Sequence, residues 1–165
     1  MKYKLIFTKA PEEKIIKSAF KVFLAGGITG CFDWQTVLTK KLTEYYSNKE
    51  LSKNLQIFNP RRDDFNMENI NESEIQIKWE FDKLKKSNLI SFWFTSGSLN
   101  PITLYELGMW GNSRKTKIII GIENNYLRKF DVILQTKLAR TDVKILETFD
   151  DFTNELIKAI DNHVI

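Results

Sequence analysis

Leu89-Ile90-Ser91-Phe92-Trp93-Phe94, and just beyond it Asn100-Pro101-Ile102-Thr103-Leu104-Tyr105-Glu106-Leu107-Gly108, decide the fold. The first stretch is an apolar run of strand length without an internal charge, as a strand buried on both faces requires. The second opens with a residue able to cap a helix and a proline at the first helical position, where the missing N–H costs nothing. A buried strand leading into a helix is half of a parallel β-α unit, and the pattern recurs outward in both directions. Lys21–Ala25, Leu55–Phe58, Lys117–Ile122 and Val143–Leu146 read as four further strands. Asp33–Tyr46 begins on an acidic capping residue, and Ser73–Lys86 opens with Ser73 and Gln76 in capping-box spacing. Asp150–Asn162 carries Phe152, Leu156, Ile157 and Ile160 on one stripe, which marks packing on a sheet. The expectation is an α/β chain with a doubly wound sheet of about five parallel strands. Tyr3, Leu5 and Phe7 alternate against lysines within residues 1–16 and could add an edge strand.

Composition bounds the function. A chain of 165 residues, 42% hydrophobic and 13% aromatic, suits one domain, 1–165, with a real core and no visible linker or repeat. Its formal charge of +4 is spread without a dense Lys/Arg block, so no nucleic-acid partner is expected. One cysteine, Cys31, excludes an internal disulfide, and one histidine, His163, removes the usual zinc and His-dependent catalytic sets. No cofactor is expected: Gly26-Gly27-Ile28-Thr29-Gly30 lacks the glycine spacing of the dinucleotide fingerprint. No apolar stretch is long enough to span a bilayer, and Met1–Phe7 is too short for a signal peptide, so a cytoplasmic protein without a membrane partner is expected.

Three strand exits converge on one crevice, where an open α/β sheet keeps its chemistry. The first is the glycine-rich exit at Gly26 and Gly27. The second is Asn59-Pro60-Arg61-Arg62-Asp63-Asp64, and the third is the helix carrying Glu106. Glu106 falls in that helix's second turn beside Thr103, Leu107 and Trp110 and should point inward, as a functional carboxylate or as one paired with Arg61 or Arg62. Asp63 and Asp64 read either as site acids or as an exposed turn with local ion pairs. Asp33 has a ready role as a helix cap, which leaves room for ligand binding. Trp34 and Tyr105 lie beside the crevice and could stack on a planar base, worth about 1–3 kcal/mol, with core packing the alternative for Trp34.

Four phrases in order resemble the nucleoside 2-deoxyribosyltransferase-like family. They are Phe23-Leu24-Ala25-Gly26-Gly27-Ile28, Asn59-Pro60-Arg61-Arg62, Ile75-Gln76-Ile77-Lys78-Trp79-Glu80 and Pro101–Gly108. The resemblance implies a flavodoxin-like fold and an enzyme that cleaves the N-glycosidic bond of a 2′-deoxynucleoside and passes the sugar to another base. It makes Glu106 the nucleophile; Asp63 or Asp64, and behind them Asp33, are the candidates for the acid that protonates the departing base, or for groups that hold the sugar and base without transferring protons. It also implies sugar approach to the backbone at Gly26 and Gly27, and a homo-oligomer in which a neighbouring subunit helps close the pocket. The family's tyrosine near the start of the sheet has no match where Phe23 and Ala25 stand, and no phrase after Ile122 aligns. Two other readings stay open. One is an N-glycosidase of a nucleotide or nicotinamide dinucleotide, with Arg61 and Arg62 on the phosphate; the other is a non-catalytic nucleoside sensor.

Overall fold

A computed structural model describes residues 2–66 and 68–165. The strands are β1 (Leu5–Lys9), β2 (Phe20–Gly26), β3 (Leu55–Asn59), β4 (Leu89–Phe94), β5 (Lys117–Ile122) and β6 (Ile145–Leu146). The helices are α1 (Trp34–Tyr46), α2 (Ile70–Lys86), α3 (Pro101–Trp110), α4 (Lys129–Ala139) and α5 (Phe149–Val164). All pairings are parallel, in the order β1-β3-β2-β4-β5-β6. The sheet therefore has six strands in place of about five, because the alternating N-terminal segment does join it at the edge, Leu5 lying opposite Leu55.

Alternation along the central strands divides the core into two layers. Val22, Leu24 and Trp93 face one side with Leu38 and Leu42 of α1 and Phe152, Leu156 and Ile160 of α5. Phe23, Ala25, Phe92 and Phe94 face the other with Trp79 of α2, Leu104 and Leu107 of α3 and Val132 of α4. The Phe92-Trp93-Phe94 run is thus core on both faces, as buried parallel strands demand.

Several helix ends differ from the sequence reading. α1 is capped by Asp33 as expected, its Oδ1 accepting from the Thr36 N–H at 3.0 Å. α2 starts three residues earlier than Ser73, because Asn69 accepts from the Asn71 and Glu72 N–H groups and nucleates the first turn there. Asn100 makes no cap hydrogen bond to α3. It sits at φ 48° with its amide turned back, donating to the Thr95 and Ser98 carbonyls. Thr148 caps α5 by accepting from the Asp151 N–H. α4 was not foreseen: Phe130, Leu134 and Leu138 lie on its exposed side, so its apolar residues trace no single inward stripe. Among the described residues, no helix is long and apolar enough to cross a membrane.

Candidate active site

β2 and β4 are neighbours whose onward connections leave on opposite faces, β2 through α1 and β4 through α3. Strand ends that part in this way open a crevice beyond their carboxyl termini. A cavity of about 590 Å³ lies there, walled by Gly26 and Gly27 from the exit of β2, Pro60 and Arg62 from the exit of β3, Gln76 and Glu80 from α2, and Asn100, Thr103 and Glu106 from the start of α3. Its size is within the range of small-molecule sites.

Glu106 is 9% exposed and turned toward the cavity. Among the described residues nothing donates a hydrogen bond to it. Burial first, and then the negative charge of Glu80, push its carboxyl up to about 8. Glu80 faces the same cavity from α2, accepts a 2.8 Å hydrogen bond from Gln76 Nε2, and is also raised by burial, with that hydrogen bond holding the rise back. Two desolvated carboxylates on different helices therefore share one apolar pocket. Such a pair resists double ionisation and retains a proton between its members.

The other expected site residues divide by position. Gly26 and Gly27 line the cavity, but their missing side chains face the protein. A Cβ on Gly26 would come within 2.5 Å of the Trp93 carbonyl oxygen, and one on Gly27 would overlap Asn100 Oδ1 and lie 2.6 Å from Cys31 Sγ. Glycine is needed here so that the β2 exit can close against the β4 exit. Arg62 lines the cavity with its charge already engaged by Asp64 at 3.2 Å and Glu72 at 3.3 Å, its guanidinium over the Phe65 ring. Arg61 stands outside, bound to Asp33, to Gln35 Oε1 and to the Ile28 and Phe32 carbonyls, so it fastens the β2-α1 loop to the β3 exit.

Asp63 and Asp64 do not reach the cavity. Their side chains are 84% and 80% exposed, Asp63 pairing with Lys9 and Asp64 with Arg62, whose guanidinium holds Asp64 below the usual carboxylate range. Asp33 is occupied by its cap and by Arg61. Trp34 is fully buried against Phe152 and donates its indole N–H to the Gly27 carbonyl at 3.1 Å, so it supports the cavity floor from within the core. Tyr105 is 68% exposed, one residue from Glu106 and consequently on another face of α3.

A model of nucleoside 2-deoxyribosyltransferase-like proteins matches residues 19–126, from the start of β2 to just beyond β5. The chain belongs to the nucleoside 2-deoxyribosyltransferase-like family. Among curated proteins none matches it. The matched span contains every wall of the cavity, whereas β1, α4, β6 and α5 lie outside it. The family assignment and the parallel α/β sheet thus agree with the resemblance read from the four phrases.

Sequence reasoning missed Glu80 and Gln76 as site residues, although both stand inside one of those phrases. The available signal was on α2 itself. Gln76, Trp79, Lys83 and Leu84 are its buried residues, while Ile70, Ile77 and Phe81 are exposed. Polar residues at the inward spacing of an amphipathic helix point to a polar wall.

Proposed function

We propose that the chain is one domain acting as a nucleoside 2-deoxyribosyltransferase, with Glu106 as nucleophile and Glu80 as the acid and base. The observation that carries this reading is the pair itself: a buried and a half-buried carboxylate from different helices in one cavity, the buried one raised to about 8 by burial and by the other's charge. A pair holding one proton supplies an anion and an acid at once. A Glu106 carboxylate oxygen attacks the anomeric carbon of the donor, the C–N bond breaks, and its electron pair goes to the departing base. Glu80 passes its proton to a ring nitrogen of that base. Positive charge developing at the anomeric carbon favours ionised Glu106 and leaves the shared proton on Glu80. An acceptor base then attacks the glycosyl ester, Glu80 takes the proton back, and the configuration is retained.

Unphosphorylated nucleosides fit better than nucleotides or dinucleotides. Arg61 and Arg62 are both engaged by carboxylates of the chain, and the cavity's remaining titratable groups are acidic, which disfavours a phosphate. A homo-oligomer is also proposed. Phe81, Tyr105, Met109, Phe130, Leu134 and Leu138 are exposed on α2, α3 and α4, a run of apolar outer surface that a second copy would cover.

The test is chromatography of a deoxynucleoside donor with the purified protein, with and without a second free base, beside Glu106→Ala. New nucleoside formed only by the wild type with acceptor supports transfer. Free base and sugar alone would make the protein a hydrolase, and full turnover by Glu106→Ala would remove the nucleophile.

A further inference from the structure

Gln76 lines the cavity with its hydrogen-bonding capacity half used. Its Nε2 gives one hydrogen to the Pro60 carbonyl at 2.8 Å and the other to Glu80 Oε1 at 2.8 Å. Its Oε1 has no partner among the described residues, and the residue is only 7% exposed. Turning the amide over would bring Oε1 against a carbonyl and a carboxylate, so the surroundings fix the orientation of the amide. A buried amide oxygen without a donor is unfavourable, and an N–H on a bound molecule relieves it.

The neighbour of that oxygen narrows the ligand. Gln76 and Glu80 are four residues apart on α2 and face the same cavity, so their ends stand side by side. Gln76 Oε1 offers an acceptor. Glu80, with one oxygen receiving the Gln76 N–H, offers from the other the proton that the reaction delivers. An acceptor beside a donor is complementary to the edge of a base where an exocyclic amino group adjoins an unprotonated ring nitrogen, as in adenine and cytosine. An oxo base such as hypoxanthine or uracil has no N–H at that exocyclic position and sets a carbonyl oxygen against Gln76 Oε1.

Resting on the transferase reading above, we infer that Gln76 Oε1 accepts a hydrogen bond from the exocyclic amino group of the base, which makes Gln76 the residue that selects amino bases over oxo bases. The adjacent ring nitrogen then lies at Glu80, so recognition and protonation of the leaving group occur on one edge.

The experiment compares kcat/KM for 2′-deoxyadenosine against 2′-deoxyinosine and for 2′-deoxycytidine against 2′-deoxyuridine, in the wild type and in Gln76→Met. Because these donors differ in intrinsic lability, the readout is the change in each ratio between the two proteins. The amino-to-oxo ratio should fall by about tenfold or more in Gln76→Met. Equal losses on amino and oxo donors would assign Gln76 to support of Glu80 and overturn the inference. A wild-type measurement avoids dependence on the variant's folding: the 6-dimethylamino analogue of deoxyadenosine keeps the ring nitrogen and lacks the N–H, so it should react as poorly as deoxyinosine. Turnover equal to that of deoxyadenosine would overturn the inference and leave the transferase reading standing. Equilibrium dialysis of adenine and hypoxanthine separates the remaining cases. Tighter adenine binding that Gln76→Met abolishes, in a protein that turns over no nucleoside, would keep the base recognition and remove the transferase reading; binding of neither base with no turnover would remove both.

Discussion

Replacing Glu106 by glutamine keeps the side-chain volume and removes its titration, so the variant reports how hostile the cavity is to charge. In the folded chain burial and the Glu80 charge lift the Glu106 carboxyl from an ordinary 4.5 to about 8. A group raised in this way contributes stability that is fully present below its unfolded-state value and is lost as pH rises through about 8. At about 1.4 kcal/mol for each tenfold change in proton affinity, that rise is an upper bound of about 5 kcal/mol. About 4 kcal/mol of it disappears between about pH 5 and about pH 9. Glu106→Gln carries no such loss. For a chain of 165 residues, where about 1 kcal/mol moves Tm by roughly 2–4 °C, the variant's Tm should gain on the wild type by roughly 8–16 °C across that interval. The assay is thermal unfolding of both proteins, followed by circular dichroism or calorimetry, at matched ionic strength from about pH 5 to about pH 9. Groups distant from the cavity titrate alike in the two proteins and cancel in the difference. Parallel Tm curves would refute the reasoning, because they would mean that the folded chain solvates or pairs the Glu106 anion as well as water does.

Glu80→Gln should lower kcat by about 10²–10⁴, the usual contribution of a positioned acid, with smaller losses on donors whose bases leave without protonation; equal losses on all donors would place Glu80 outside proton transfer. In the wild type, kcat/KM should decline above about pH 8 as the last proton shared by the pair is lost, a decline that Glu80→Gln should shift or abolish in the measured pH profile. Asp63→Asn and Asp64→Asn should each change activity by less than about threefold and leave the urea-unfolding midpoint in place, since both are exposed and paired at the surface; a large loss of turnover in either would return that residue to the site. Leu134→Glu on the outer face of α4 should shift sedimentation toward the monomer, and unchanged sedimentation would move the interface off that face.

What could be read from the sequence follows from how completely each segment is buried. β4 and β5 were legible to the residue because strands covered on both faces are apolar runs without an internal charge. The inward aim of Glu106 was legible because Pro101 fixes the start of α3 and hence the phase of its second turn. The assignment of Asp63 and Asp64 to the crevice rested on adjacency to a strand end, and adjacency does not set direction in an exit loop. There Arg62 draws Asp64 outward and Lys9 of the edge strand draws Asp63. α2 and α4 were harder for one shared reason, since both carry large apolar residues on their exposed sides, where periodicity assumes polar ones.

That inversion on α2 connects the cavity to the outer surface. The wall that faces two strand ends has to hold a carboxylate and the amide that donates to it, so Gln76 and Glu80 take inward positions that a structural helix would give to leucine or isoleucine. Lys83 goes further: its side chain is fully buried, and Glu13 at 2.7 Å and Asp82 at 3.0 Å pair its ammonium while the Trp79 ring lies beneath it. With Gln76, Glu80 and Lys83 sharing its inner side with Trp79 and Leu84, α2 also keeps apolar contact on its flank, where Phe81 packs on Trp110 of α3 with ring centroids 5.5 Å apart, and leaves Ile70 and Ile77 exposed. Ile77 also lines the cavity, so a surface placed over α2 would at once bury its outer face and border the pocket. The same helix thereby presents polar groups to the cavity on one side and apolar side chains on the other, and the proposed second subunit would cover the apolar side.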